Sequence, residues 1–409
     1  MSASDDLYTT AVHAGRASVH ALGKHAPPID LSSTYPFDDM DAAARSLTEL
    51  AHGAATAKTP VYARLHNPTV ARAEQAVAEL EGATDTVAYA SGMAAVTAVL
   101  MATRTLRDDN ATPHVVAVRP IYGTTDHLLT SNLLGIDVSW AAPNAIAEAM
   151  RPTTALVMIE TPANPTLDLV DIQAVTDQAG DVPVVVDSTF APPVIQRPLE
   201  HGATLSLHSA TKFLGGHGDV IGGVVSTSDA DWAAALRHVR VATGALLHPH
   251  AAYLMHRSMP TLPARVERAQ STATALADRL EAHPAVQAVH FPGYDTAPCY
   301  TRQMDGPGTL ISFELGTYDA ARATVEAVSL ITAAVSLGST DTLIQHPASL
   351  THGVVSDDAK SDHGITPGLV RLSVGLESAD ALWADLEQAL EACAVAVYAV
   401  ENAATPVQV

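Results

Sequence analysis

Val182-Pro183-Val184-Val185-Val186-Asp187 is an apolar run that ends in a carboxylate, and Ser209-Ala210-Thr211-Lys212-Phe213-Leu214-Gly215-Gly216-His217 begins 22 residues after that aspartate. A short β-branched run that is apolar throughout, rather than at alternate positions, suits a strand buried on both faces. Comparable runs lie at residues 86–90, 114–119, 154–160 and 222–227, with helical patterns between most of them. This alternation predicts an α/β protein built on a large, mainly parallel sheet covered by helices on both faces.

In open sheets of this kind ligands gather where strands end. A carboxylate delivered to that edge with no cation beside it in sequence is costly to bury unless a cationic partner stabilises it. A protonated pyridine nitrogen is such a partner, and keeping it protonated is what makes pyridoxal phosphate an electron sink. In Ser209-Ala210-Thr211-Lys212 two hydroxyls suited to phosphate oxygens flank an amine able to form an imine, and Gly215-Gly216 admits close backbone approach. The chain has only four lysines, Lys24, Lys58, Lys212 and Lys360, so imine chemistry has few places to live.

The other strand exits carry unusual residues too. Ser91-Gly92-Met93 opens a helix whose N-terminus could receive a phosphate, although Ser-Gly is also simply a good cap. Tyr122 could stack on a flat ligand or act as a general acid, or pack as an ordinary tyrosine. Glu160-Thr161-Pro162-Ala163-Asn164-Pro165-Thr166 is a proline-stiffened turn that fixes the Asn164 amide outward, and a structural turn would explain it equally well. Arg371 opens a further apolar strand and offers a planar guanidinium for a carboxylate.

Outward from these motifs, residues 1–60 show weak periodicity and read as an N-terminal arm that packs on a neighbouring subunit. Residues 61–255 read as the cofactor-binding domain. From residue 256 the texture changes to a long helix near 263–283, strands near 286–291, 309–315 and 369–374, and helices near 318–328 and 379–394, read as a smaller C-terminal α/β domain. The 409 residues include 22 Lys+Arg against 44 Asp+Glu, a formal charge of −22 that would repel nucleic acid and anionic membranes. The acidic start of the chain is unlike a signal peptide, and no apolar run approaches the ~18 residues of a spanning helix. Cys299 and Cys393 lie far apart, so free thiols in a reducing cytoplasm are expected. The 19 histidines, including His208, His217, His248, His250 and His256, invite zinc, but no His-x-x-x-His pair backed by carboxylates is present and no metal is expected.

Taken together, the chain resembles the pyridoxal-phosphate enzymes of cysteine and methionine metabolism, from Thr10-Ala11-Val12-His13-Ala14-Gly15 to the last helix. The resemblance rests on Tyr62-Ala63-Arg64 with Asn67-Pro68-Thr69, Ser91-Gly92-Met93, Glu160-Thr161-Pro162-Ala163-Asn164-Pro165, Asp187, Ser209-Ala210-Thr211-Lys212 and His346-Pro347-Ala348. It implies the pyridoxal-phosphate transferase fold of type I, pyridoxal 5'-phosphate as cofactor, an amino-acid substrate and a homotetramer made as a dimer of dimers. It also implies that Lys212 is the Schiff-base and proton-transferring lysine, that Asp187 pairs with the pyridine nitrogen, and that Tyr122 stacks on the ring and serves as general acid. Gly92, Met93, Ser209 and Thr211 would hold the phosphate, with Tyr62 and Arg64 reaching in from a neighbouring subunit. Asn164 would touch the 3-oxygen, and Asn164, Ser336 and Arg371 would hold the substrate carboxylate.

Within that family, residues 335–352 and 364–377 look most like methionine γ-lyases. Cystathionine-processing members commonly carry glutamate where Val335 stands, so an apolar valine favours a short thioether. Thr124 stands where methionine γ-lyases usually have cysteine, and Arg240-Val241 where they usually have Lys-Asp. The expectation is γ-elimination from L-methionine. The alternatives are cystathionine γ-lyase, or γ-replacement on an O-acylhomoserine as in a sulfhydrylase or cystathionine γ-synthase.

Overall fold

The computed structural model describes residues 6–107 and 111–403, apart from the side chains of Ser18 and 392–403. The first five residues of the acidic N-terminus and the Cys393 thiol therefore lie outside the described residues; Cys299 is buried. The chain forms two compact units, one of residues 1–118, 128–159 and 171–264, the other of residues 119–127, 160–170 and 265–409. Two strand-exit segments are thus grouped with the C-terminal part of the chain.

The first unit is built on a sheet of β1 (Asp85–Tyr89), β2 (His114–Ala117), β3 (Asp137–Trp140), β4 (Thr154–Glu160), β5 (Val184–Asp187), β6 (Leu205–His208) and β7 (Gly223–Thr227), in the order β1-β7-β6-β5-β4-β2-β3. Strand β7 runs antiparallel to both β1 and β6, while β5–β6, β2–β4 and β2–β3 are parallel. Two strands, β3 and β6, were not expected from the sequence. In β6 apolar and polar residues alternate, yet all four are buried, because Ser206 and His208 find hydrogen-bonding partners inside. Such a strand lacks the continuous apolar run that marks its neighbour β5.

Helices Pro68–Glu81, Gly92–Thr105 and Ala230–Thr243 pack on the β1–β7 part of the sheet, and Ile172–Ala179 packs on β5. Their ends follow from local chemistry. Asn67 accepts from the Thr69 and Val70 amides at 2.9 and 3.2 Å with Pro68 in the first turn, so Asn67-Pro68-Thr69 is a helix start. Ser91 caps Ala94 N at 3.1 Å in the same way, which starts the next helix directly beyond β1.

The second unit has a sheet of β8 (Ala288–His290), β9 (Leu310–Glu314), β10 (Thr332–Ala333), β11 (Leu343–Gln345) and β12 (Leu369–Ser373), ordered β10-β11-β12-β9-β8. Ile311, Phe313, Ile344, Val370 and Leu372 from these strands form one core with Leu276, Leu280, Leu382, Leu386 and Leu390 from the helices. Among the described residues no helix is long and apolar enough to cross a membrane.

Candidate active site

In the first unit, β5 ends at Asp187, which is buried, with 7% of its surface exposed. Its Oδ1 accepts from Thr189 N at 3.0 Å and from Thr189 Oγ1 at 2.5 Å. Burial pushes its carboxyl above the usual range, against the pull of those two bonds and of the His208 charge. The ionised form at this sheet edge is therefore incompletely stabilised by the protein, as expected of a carboxylate awaiting a cationic partner. Thr189 Oγ1 also accepts from Ser209 N at 2.8 Å, so one hydroxyl ties the end of β5 to the turn beyond β6.

That turn carries Lys212, half-buried, with its backbone N donating to Ser209 O at 3.1 Å and its carbonyl accepting from Gly216 N at 2.7 Å. A Cβ on Gly92 would sit 3.0 Å from both Cβ and Oγ of Ser209. Glycine at position 92 thus lets the Ser209 hydroxyl lie against the N-terminus of helix Gly92–Thr105, where amides and dipole favour an anion. A phosphate fits this cradle and a protonated pyridine fits Asp187, so these residues suit pyridoxal phosphate. Thr211 is engaged differently from the simple expectation of a phosphate ligand: its hydroxyl accepts from Gly222 N at 3.1 Å and lies 3.3 Å from Gly222 O. Tyr62 and Arg64 form a pair of their own, the guanidinium 5.5 Å from the ring centroid and Nη1 donating to Val241 O at 2.7 Å.

In the second unit, Arg371 lies in the middle of β12 with 2% exposure. Its Nη1 donates to Asn164 Oδ1 at 2.7 Å and its Nη2 to Ser336 O at 2.9 Å, so three residues expected to hold a carboxylate meet here. With its amide oxygen turned toward the guanidinium, Gln345 accepts from Nη2 at 2.6 Å. Burial lowers the Arg371 pKa to about 10, with the Glu160 and Tyr122 charges acting in the opposite sense. Ser336 supplies its carbonyl from a left-handed backbone, φ +99°, a conformation of about 1–3 kcal/mol strain for a residue with a Cβ. Tyr122 and Asn164 are joined by Glu160, whose Oε2 accepts from Tyr122 N and Oε1 from Asn164 N, both at 2.8 Å.

The chain matches the profile of the Cys/Met metabolism PLP-dependent enzymes over residues 8–391. It belongs to that family. It is 53% identical over 390 residues to an L-methionine gamma-lyase of Brevibacterium sandarakinum, covering 94% of this chain and 97% of that protein. An L-methionine gamma-lyase of Streptomyces avermitilis is 52% identical over 385 residues, 94% of this chain and 89% of that protein. Cystathionine gamma-lyase from Lactobacillus plantarum superposes with a TM-score of 0.86 at 33% identity, over 95% of this chain and 99% of that one. Cystathionine gamma synthase from Xanthomonas oryzae pv. oryzae superposes at 0.85 and 36% identity with the same coverage. The fold is therefore the type I fold of pyridoxal-phosphate enzymes, and pyridoxal phosphate is the cofactor.

Sequence reasoning missed Thr189, Glu160 and Gln345. Glu160 carried the same signal as Asp187, an apolar strand ending in a carboxylate, whereas Gln345 is placed only by its pairing with Arg371 across β11 and β12. Three of the histidines singled out in the sequence are engaged in other bonds: His208 Nε2 lies 2.6 Å from Glu81 Oε1, His256 Nε2 2.9 Å from Ala14 O, and His248 caps His250 N. Among the described residues no group of three or more His, Cys, Asp or Glu is arranged for a metal ion.

Proposed function

We propose that this enzyme is a carbon–sulfur lyase that converts L-methionine and water to methanethiol, 2-oxobutanoate and ammonia. The observation that carries this reading is the 53% identity, over 94% of the chain, to an L-methionine gamma-lyase. Val335 supports it: 51% exposed and apolar, it offers nothing to the distal ammonium of a two-headed substrate.

When bound, pyridoxal 5'-phosphate supplies an electron sink for the substrate's α-carbon. Lys212 would hold the cofactor, Asp187 would keep its ring nitrogen protonated, and Tyr122 would pack on its ring. Gly92, Met93, Ser209 and Thr211 would bind the phosphate, with Tyr62 and Arg64 contributed by a neighbouring subunit, and Asn164 would bind the 3-oxygen. Arg371 would bind the substrate carboxylate together with Asn164 and Ser336, and the Lys212 amine would take the α-proton. Lys212 also moves protons between the substrate carbons. The Tyr122 hydroxyl protonates the departing sulfur. We further assign the protein to the cytoplasm as a homotetramer of two dimers, with residues 1–60 as the inter-subunit arm.

The superpositions on cystathionine enzymes favour a second reading, cystathionine cleavage or γ-replacement on an O-acylhomoserine. One experiment separates them: offer methionine, homocysteine, cystathionine, and O-acetylhomoserine with sulfide, and compare 2-oxobutanoate with thiol-containing product. Methionine giving equimolar methanethiol and 2-oxobutanoate at the highest kcat/KM supports the proposal. A preference for cystathionine or for replacement overturns it.

A further inference from the structure

Glu160 has no role in the scheme above, yet it is 3% exposed and both of its oxygens are used on the main chain of site residues. Oε2 receives Tyr122 N–H and Oε1 receives Asn164 N–H, each at 2.8 Å, although these residues are 42 positions apart. From Asn164 the chain of contacts continues through Oδ1 to Arg371 Nη1 at 2.7 Å, and Arg371 Nη2 ends on Ser336 O at 2.9 Å. A carboxylate accepting two main-chain N–H groups fixes the backbone from which both side chains leave, and charge-assisted bonds of this kind are the strong ones.

We propose that Glu160 is a positioning residue that pre-aligns Arg371 for the substrate carboxylate, acting through Asn164, while holding Tyr122 in register with it. This rests on the assignment of Arg371 as the carboxylate anchor made above. Buried and negative, Glu160 also offsets part of the cost of burying the Arg371 guanidinium, whose charge it favours. Two tasks, alignment and charge balance, thus fall on one side chain.

The test uses the cofactor-loaded full chain and variants Glu160→Gln and Glu160→Asp. The amide keeps the shape but points a donor at one of the two N–H groups; the aspartate keeps the charge but is a methylene too short to span both. Binding is read from the change in the cofactor's visible absorbance on titration with L-norleucine, which has no γ-leaving group, and with n-pentylamine, which has the same chain and no carboxylate. Norleucine should bind about 10- to 100-fold more weakly to either variant, the range for a lost hydrogen bond to a charged group, with pentylamine unchanged. In an Arg371→Lys background the Glu160→Gln penalty should largely vanish, because the anchor it aligns is gone. Equal losses for both ligands, additive penalties, or unchanged norleucine binding overturn the proposal. If neither variant folds, judged by far-ultraviolet circular dichroism, Glu160 is a folding element and the proposal also fails. Since the readout is binding, it stands apart from the methionine assignment, which is decided by the products and substrate preference of the unmodified enzyme.

Discussion

Replacing Asp187 by asparagine keeps the side chain's shape and removes its charge, and its effect should reverse sign between cofactor-free and cofactor-loaded protein. In the cofactor-free protein, hydrogen bonds to a charged acceptor contribute about 1.5–3 kcal/mol each, and Oδ1 receives two from Thr189. Removing a carboxylate from water costs several kcal/mol. The raised pKa of Asp187 says that burial wins, so the ionised form carries a net penalty in the folded protein. A folded-state pKa above the unfolded one means that the aspartate's favourable contribution is present at low pH and is lost as pH rises through the folded value. At pH 8 the cofactor-free Asp187→Asn protein should thus be the more stable, and the gap should close toward pH ~4, near the ordinary aspartate pKa. In the loaded enzyme, with Asp187 paired to the pyridine nitrogen as proposed, the same change removes the counter-charge, and breaking a buried pair of this kind costs about 3–5 kcal/mol, roughly 10²- to 10⁴-fold in rate. Urea denaturation of the cofactor-free proteins at several pH values, alongside kcat, measures both. A cofactor-free variant less stable than its parent at pH 8, or one loaded and active within threefold, would refute the reasoning.

Arg371→Lys cannot keep the bonds to both Asn164 and Ser336, and should raise KM for L-methionine by about 30- to 1000-fold, as expected for a truncated buried charge contact, in steady-state kinetics. Gly92→Ala places a methyl 3.0 Å from Ser209 and should weaken pyridoxal phosphate about tenfold in an absorbance titration, since overpacking of this order costs about 1–3 kcal/mol. Val335→Glu should shift the ratio of kcat/KM toward cystathionine over methionine by about tenfold or more, because the carboxylate gives the distal ammonium a partner that valine lacks; an unchanged ratio would remove Val335 from the specificity argument.

Much of the site was legible because the alternation of elements tells where strands end, and in an open sheet that is where chemistry collects. Asp187, Tyr122 and Asn164 stand out as candidates by their place after a run of apolar residues. What holds them was less legible. Arg371 and Asn164 are 207 positions apart, and His208 and Glu81 are 127 apart, so their bonds are products of the fold rather than of any local pattern. Strand β6 escaped for the same reason: a buried serine and histidine read as exposed until distant partners for them are known. Thr189 lies two residues after Asp187 and was within reach, because a threonine there can bond back to the aspartate while its hydroxyl serves a second strand.

The positions where this chain departs from methionine γ-lyases gain a physical meaning. Arg240 is 7% exposed, paired with Glu74, and bonded to Ala88 O at 3.2 Å; Glu74 in turn accepts from Ala88 N at 2.8 Å. The guanidinium therefore holds a half-buried carboxylate against strand β1. Val241 packs with Leu50 and Leu65, and its carbonyl receives Arg64. Shortening Arg240 would strand Glu74, and an acidic residue at 241 would place a charge in an apolar cluster, so the two residues are constrained by packing whatever the substrate. Their identity consequently carries less information about the leaving group than Val335, whose exposed side chain answers to no such demand. Thr124, in the first turn of helix Gly123–Thr130 directly after Tyr122, remains the departure nearest to a residue assigned to the chemistry. Gly123 beside it has no room for a Cβ, which would meet Thr351 O at 2.3 Å, so the backbone that carries Tyr122 is fixed and a change at 124 alters side-chain chemistry without moving that tyrosine's main chain.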